Sequence, residues 1–489
     1  MESALKLALS ERSYKDGCPY LNYQKPETLL AQLNYLTDRV NELEKACNLA
    51  AQVIKQKDTQ IAQFQEEIGE LKAEDCLERE ERYKTERREK SGGKPGAPVG
   101  HRGVTRTKST QIDNRVRVRV KRCPHCGGRV KKCKGKHSFT DHIQEDIEIR
   151  KVVTSFRHDK YYCKNCKKPV TGIGEGEIPK SYLGPTAVSS SHILHYQIGL
   201  PYNKISEIYQ HLFGCKVTTG GFIDMDKRVA QNGQILYNQL EERIRNSSES
   251  YTDETGWRKN GENWWLWHSG NKKDGSLYKV DESRGHQVAE EILGKDYQGT
   301  LVSDCFSAYN LINASAKQKY LAHLFRDIEK ITKIYPNDPE TIAFSVNLEN
   351  ILKEGLDLKK GCQEGKYTLA YLQESKERLQ NQLAAITNQK LFKKKSEALR
   401  KRLVSHKDEI FTFLSRPEVE PTNNFAERQL RPLVVMRKLT GGSRSAKGTK
   451  RLAVMMSLIQ TAKLQGKDPK DLLLSLILNS PEIRAPTCQ

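Results

Sequence analysis

The chain has 489 residues, room for roughly three or four domains. Its 82 Lys and Arg against 61 Asp and Glu leave a net charge of +21, which points to a polyanionic partner. No run approaches the ~18 apolar residues of a membrane helix, and the polar opening MESALKLALSERSYKDG does not read as a secretory signal, so a membrane protein is excluded and a secreted one is not expected. The 12 Cys then read as metal ligands before disulfides.

The positive charge is concentrated. Residues 87–137 hold 17 Lys/Arg and 2 Asp/Glu, and residues 421–489 hold 12 and 4. Blocks of nearly one sign, each containing structured motifs, read as nucleic-acid contact surfaces rather than as ordinary solvated faces.

Residues 1–86 form a helical region whose apolar residues recur in heptads. Leu33, Val40, Cys47, Ile54, Ile61 and Ile68 fall at a; Leu36, Leu43, Ala50, Lys57, Phe64 and Leu71 fall at d. β-Branched residues at a with Leu at d favour a parallel two-stranded coiled coil, hence a homodimer. Lys57 weakens the seam and can fix its register.

Residues 87–122 read as a basic linker and a strand. The run SGGKPGAPVGHRG is too rich in Gly and Pro to continue a helix and offers Lys94, His101 and Arg102 to phosphates. RVRVRVKR (115–122) alternates with the period of a strand. A zinc ribbon is expected over 123–180. Cys123 and Cys126 in CPHCGG, with Cys163 and Cys166 in CKNC, are two knuckles of the spacing that closes one structural four-thiolate zinc site. The segment between them is strand-like, and Cys133, His125, His142 and His158 read as bystanders.

Residues 181–247 look helical, and LPYNKISEIYQHLFGCKVTTGGFIDMDKRV fits either a helix-turn-helix or a plain helical hairpin. From 248 to 337 the period changes. Three short strands (250–258, 263–270, 276–283), a helix, a strand ending at Asp304 and a further strand and helix give a mixed α/β sheet of RNase H-like type. Residues 338–415 read as a helical insertion, and 416–489 as a basic, helical return to the core. The fold class expected is a multidomain α+β protein.

Three acids are candidates for a metal cluster: Asp253 in TDETGWR, at a strand end; Asp304 in SDCFSAY, at another; and Glu427 in NNFAERQLRP, on a helix. Carboxylates from adjacent strands and a helix beside them are hard ligands for two Mg²⁺ or Mn²⁺ ions. Spacing alone does not single them out. Each Asp is equally a turn or cap residue, and Glu427 with Arg431 is equally an i,i+4 surface pair.

Taken together these motifs resemble, in order and over nearly the whole chain, a transposase of the insertion sequence 66 family, a DDE-type group. The resemblance rests on the coiled coil, Gly100-His101 with Gly103, the two cysteine knuckles, LPYN (200–203), TDETGWR, SDCFSAY, Ala322-His323 with Arg326, NNFAERQLRP, RKLTGGSRSAKG and SLIQTAKLQGKDP. The most specific pieces are NNFAER and the ribbon. Cys305, Pro98 and Thr449 depart from the family pattern without removing a carboxylate.

The resemblance implies that Asp253, Asp304 and Glu427 are catalytic and hold two Mg²⁺ (or Mn²⁺) ions. It implies a bacterial, cytoplasmic, nucleoid-associated enzyme that cleaves the 3′ strand at the ends of its own element. The 3′-OH is then joined to target DNA, with accessory proteins of the element as further partners. Arg258, Arg428, Arg431, Arg437, Lys438 and Arg444 are the expected phosphate contacts beside Lys94 and Arg102. Trp257 either stacks on DNA or packs in the sheet; Trp264, Trp265 and Trp267 read as core. The alternatives are a catalytically inactive or domesticated DNA-binding protein, or a structure-selective nuclease of the same fold.

Overall fold

The computed structural model describes residues 26–83, 110–133, 142–478 and 487–488. Residues 87–109, with Lys94 and Arg102, lie outside them. The chain divides into two units, 1–89 and 90–489.

The first unit is one helix, α1 (Pro26–Tyr83). At 1.5 Å per residue it is about 87 Å long. Its heptad residues, among them Leu36, Val40, Leu43, Ile54, Ile61, Phe64 and Leu71, are exposed along the single chain.

In the second unit, the alternating run 115–121 forms no strand. A strand needs a partner for its N–H and C=O groups, and among the described residues none runs beside this one: Val116 and Val118 are exposed, and the one ladder contact described nearby is the isolated bridge Arg122–Arg129. The strand-like segment 142–159 is likewise without a ladder. Strand structure begins with the short hairpin β1 (Lys160–Cys163) and β2 (Lys168–Thr171), to whose second strand β8 (Thr487–Cys488) is added.

Four helical pieces follow: α2 (Pro185–His192), a π-helical turn Ile193–Gln197, α3 (Tyr202–Phe213) and α4 (Thr219–Arg245). Pro185 opens α2, Gly214 ends α3 in the left-handed conformation, and the Thr218 hydroxyl caps α4.

The five-stranded mixed sheet has the order β5-β4-β3-β6-β7. Strands β3 (Glu249–Lys259), β4 (Glu262–Asn271) and β5 (Gly275–Asp281) form an antiparallel meander. After α5 (His286–Leu293) come β6 (Asp296–Ser303) and β7 (Asn313–Lys319), both parallel to β3. Side chains alternate between the faces. Trp267, Leu277 and Leu301 enter a core with Leu240 and Ile244 of α4 and with α5. The other face carries Tyr251, Asp253, Trp257, Leu266 and Tyr278.

That second face is covered from two directions. On one side stand α6 (Leu321–Ile334), α7 (Pro339–Gln363), α8 (Leu369–Thr387), α9 (Lys394–Ser405) and α10 (Thr412–Ser415), whose Leu, Ile and Phe side chains share a core with Tyr251 and Val302. On the other stand α11 (Asn424–Thr440), α12 (Ala446–Leu464) and α13 (Pro469–Leu478), packed with Trp257, Leu266 and Tyr278. No helix among the described residues is long and apolar enough to cross a membrane.

Candidate active site

Asp253 does not end its strand. It is the fifth residue of the 11-residue β3, which stays extended past it because β4 pairs with it from Tyr251 to Lys259. What stops near Asp253 is the neighbour on the other side. β6 pairs with β3 only at Glu249–Thr300, Ser250–Leu301 and Tyr251–Val302. The same register carried two residues further sets Asp253 level with Asp304, the residue directly after β6. The two acids therefore face each other where the parallel neighbours part, at the carboxyl end of β6, the kind of place where open sheets bind ligands.

Burial, then the charges of Glu254 and Asp304, push the Asp253 carboxyl up to about 7. Asn423 Nδ2 donates to Asp253 Oδ2 at 3.0 Å. Asp304 is fixed through its own chain: Oδ1 accepts the Phe306 N–H at 2.9 Å, and its carbonyl accepts from Lys319 Nζ at 3.0 Å. Lys319 is fully buried, bonds Ser303 Oγ at 3.2 Å and stands 3.6 Å from Glu409. Burial holds its ammonium below the usual lysine range.

Glu427 lies in the first turn of α11. The nearby His323, with Arg326, holds its carboxyl below the usual range. Arg326 Nη2 is 3.0 Å from Glu427 Oε1 and His323 Nε2 is 3.9 Å away. These partners arrive because the Leu321 N–H, at the start of α6, bonds the Pro421 carbonyl at 3.0 Å, just before α11. His323 also acts electrostatically on Asp253. Among the described residues, no three or more His, Cys, Asp or Glu side chains are close enough together to hold a metal ion.

Composition and spacing did not mark Asn423, Lys319 or Glu254. Glu254, beside Asp253 but on the opposite sheet face, accepts from Tyr309 Oη at 2.5 Å and from Arg284 Nη2 at 2.8 Å. The duplicated Asn before Ala-Glu-Arg was the one available signal for Asn423. Lys319 and Glu254 had none, because their partners come from distant turns.

Each cysteine pair forms a turn of its own. In the first, the Gly127 N–H bonds the Cys123 carbonyl and the Cys123 N–H bonds the Gly128 carbonyl, both at 2.8 Å, with Gly127 at φ +72°. Cys163 and Cys166 sit in the β1–β2 turn. Main-chain hydrogen bonds from His125 and Cys126 lower the Cys123 thiol, and those from Cys166 and Asn165 lower Cys163. Amides aimed at sulfur favour thiolate, the form that binds metal.

The expected DNA contacts divide. Trp257 is 2% exposed, its Nε1 on Ser443 Oγ at 3.2 Å, so it belongs to the sheet's packing and presents no face to a strand. Trp267 is buried; Trp264 and Trp265 are half-buried under Lys259 and Arg284. Arg437 is half-buried and bonds the Gly256 carbonyl. Arg258, Arg428, Arg431, Lys438 and Arg444 are exposed. Arg258 and Arg444 flank one junction, where the Ser443 N–H bonds the Arg258 carbonyl at 2.9 Å.

The model of the family described as Transposase IS66 family matches residues 180–451, a stretch running from before α2 into α12 and including all three acids. A curated relative, the uncharacterized protein y4qI of Sinorhizobium fredii (strain NBRC 101917 / NGR234), is 25% identical over 360 residues, 67% of this chain. The alignment spans 65% of the relative's own length. A family match over more than half of the chain, on the very elements that carry Asp253, Asp304 and Glu427, means that the chain belongs to the IS66 family of transposases.

Proposed function

We propose that the chain is a DDE-type DNA transposase with an RNase H-like core, which cleaves the 3′ strand at its element's ends and joins the 3′-OH to target DNA. The observation that carries this reading is the register that sets Asp253 level with Asp304, within a family match that also takes in Glu427. A meander of three strands followed by two parallel ones supports the core assignment.

The residues fit a divalent cation in donor chemistry, although as they stand the three carboxylates do not close one metal-holding group among the described residues. The donor set is hard oxygen throughout, burial and then the neighbouring Glu254 and Asp304 raise Asp253, and the buried Asn423 Oδ1 beside it has no hydrogen-bond partner. Asp253, Asp304 and Glu427 would hold Mg²⁺ or Mn²⁺, which supplies charge stabilisation for in-line displacement at phosphorus. The chain's own residues do the rest. Lys319 and the Phe306 amide fix Asp304, Asn423 fixes Asp253, and His323 and Arg326 hold Glu427 until DNA phosphate competes for Arg326. Exposed Arg258, Arg428, Arg431, Lys438 and Arg444 bind the phosphate backbone.

In the same reading α1 pairs with a second copy as a coiled coil, so that one assembly holds two ends. The two cysteine turns share one structural zinc. The test is cleavage of an end-labelled duplex carrying the element's terminus, in Mg²⁺ or Mn²⁺, by wild type beside Asp304→Asn and Glu427→Gln. Cutting by wild type alone, with end binding kept in both variants, supports the reading. Binding without cleavage by any of the three leaves a DNA-binding descendant of a transposase, and cutting without preference for the terminus leaves a nuclease.

A further inference from the structure

Between α8 and α9 the chain makes a short turn, Lys390-Leu391-Phe392-Lys393, followed by Lys394 and Lys395. Leu391 is buried and anchors the turn, while Phe392 is 93% exposed. A fully exposed Phe costs solvation free energy and normally marks an interaction site only when its neighbours agree. Here they do: four lysines lie within three residues of it. Lys390 and Lys394 are exposed and form no ion pair among the described residues. Asp338 and Glu340 at the start of α7 offset part of this charge.

The turn is rigidly mounted. The Phe392 N–H bonds Glu340 Oε2 at 3.1 Å, Lys393 Nζ lies 5.6 Å from the centre of the Tyr335 ring, and the Lys395 N–H bonds Tyr335 Oη at 3.4 Å. Tyr335 directly follows α6, whose first turns carry His323 and Arg326 at the acids. From His323 to Tyr335 the helix rises by about 18 Å. That is about five base pairs of duplex at 3.4 Å each.

We propose that this turn is a second DNA contact: the lysines hold backbone phosphates and Phe392 inserts against the bases about five base pairs from the scissile phosphate. This deepens the transposase reading and rests on it. Lysines give affinity without sequence preference, whereas an aromatic wedge unstacks a base step and kinks the duplex. The helical insertion thereby acts as a clamp for DNA lying along α6.

The test uses the full chain and a duplex carrying the element's terminus, with 2-aminopurine placed singly at successive positions near the cleavage point. In wild type, fluorescence rises on binding at about the fifth base pair. Phe392→Ala loses that rise and binds about tenfold more weakly, the loss of one stacked base. Phe392→Trp keeps the affinity, and its emission is quenched by the DNA. Lys390→Ala with Lys394→Ala lowers the salt slope of binding by about 2. The variants sit on an exposed turn, so folding is not the issue. Wild-type affinity and salt slope in all of them would overturn the clamp while leaving the transposase reading intact. A changed oligomeric state in Phe392→Ala with unchanged DNA binding would overturn it too, in favour of a protein contact. Failure of wild type to bind any terminal duplex would overturn both.

Discussion

Asn423 donates its side-chain amide to Asp253 at 3.0 Å, while its main-chain carbonyl accepts the Glu427 N–H at 3.0 Å. One residue thus joins the strand of the first acid to the helix of the third. Asn423 stands at the N-cap of α11, yet its side chain caps nothing. The usual use of Asn there has given way to holding a carboxylate. Asn423→Ala should therefore leave helix stability nearly unchanged and reduce terminal cleavage about 10- to 100-fold, as loss of an outer-shell partner does at metal sites. Asn423→Asp should be worse, since it sets a like charge beside Asp253. Parallel cleavage rates and thermal melts decide between this and a purely structural role, which would lower the melting temperature first.

Asp226 is a buried junction between α4, the π-helical turn and α12. Arg451 Nε reaches Asp226 Oδ2 at 2.7 Å, and Tyr196 Oη donates to Oδ1 at 2.6 Å. Removing one partner strands the other in low dielectric. Asp226→Ala should cost about 3–5 kcal/mol and Tyr196→Phe about 1–2 kcal/mol in urea unfolding. Equal, small effects would mean that solvent reaches this cluster.

His192 is buried and His195 half-buried, and loss of solvation holds both imidazoles below their ordinary range, against the pull of Asp226 on His192 and of the Leu200 carbonyl on His195. The unfolded chain takes up protons near pH 6.5 that the folded chain refuses. The stability of the neutral rings is complete above that pH and is lost as pH falls through it, by up to about 1.4 kcal/mol per group per pH unit. Urea midpoints at about pH 7.5 and 5.5 should show wild type weakening in acid, and His192→Asn weakening less. A flat wild-type profile contradicts this.

The exposed stripe on α1 makes Leu36 and Leu43 the seam of the proposed dimer. Replacing both with Lys should leave a monomer by light scattering while α1 and the sheet domain persist by circular dichroism. A dimer that survives must be held by another surface.

The two cysteine turns predict one zinc per chain by elemental analysis. Cys126→Ser or Cys166→Ser should each release it and soften the region 110–171 toward protease. Release by one variant only would mean that the knuckles do not share an ion.

Heptads, cysteine spacing, turn residues and period-two apolar runs are local properties of the chain. They therefore foretold the helix that runs over 26–83, the two knuckle turns, the three-strand meander and the helices within 338–415. The same locality misled at 115–121, where alternation alone promised a strand that, among the described residues, no neighbouring strand completes. The three acids were legible only through resemblance, since one chain marks no acid among 61. Tertiary structure alone decided the rest: the register that levels Asp253 with Asp304, the burial that closes Trp257 to DNA, and the arrival of Asn423, Lys319 and His323 at the carboxylates. Each depends on segments tens to hundreds of residues apart meeting across a sheet. Such meetings are fixed by which faces bury together, not by the spacing of any motif.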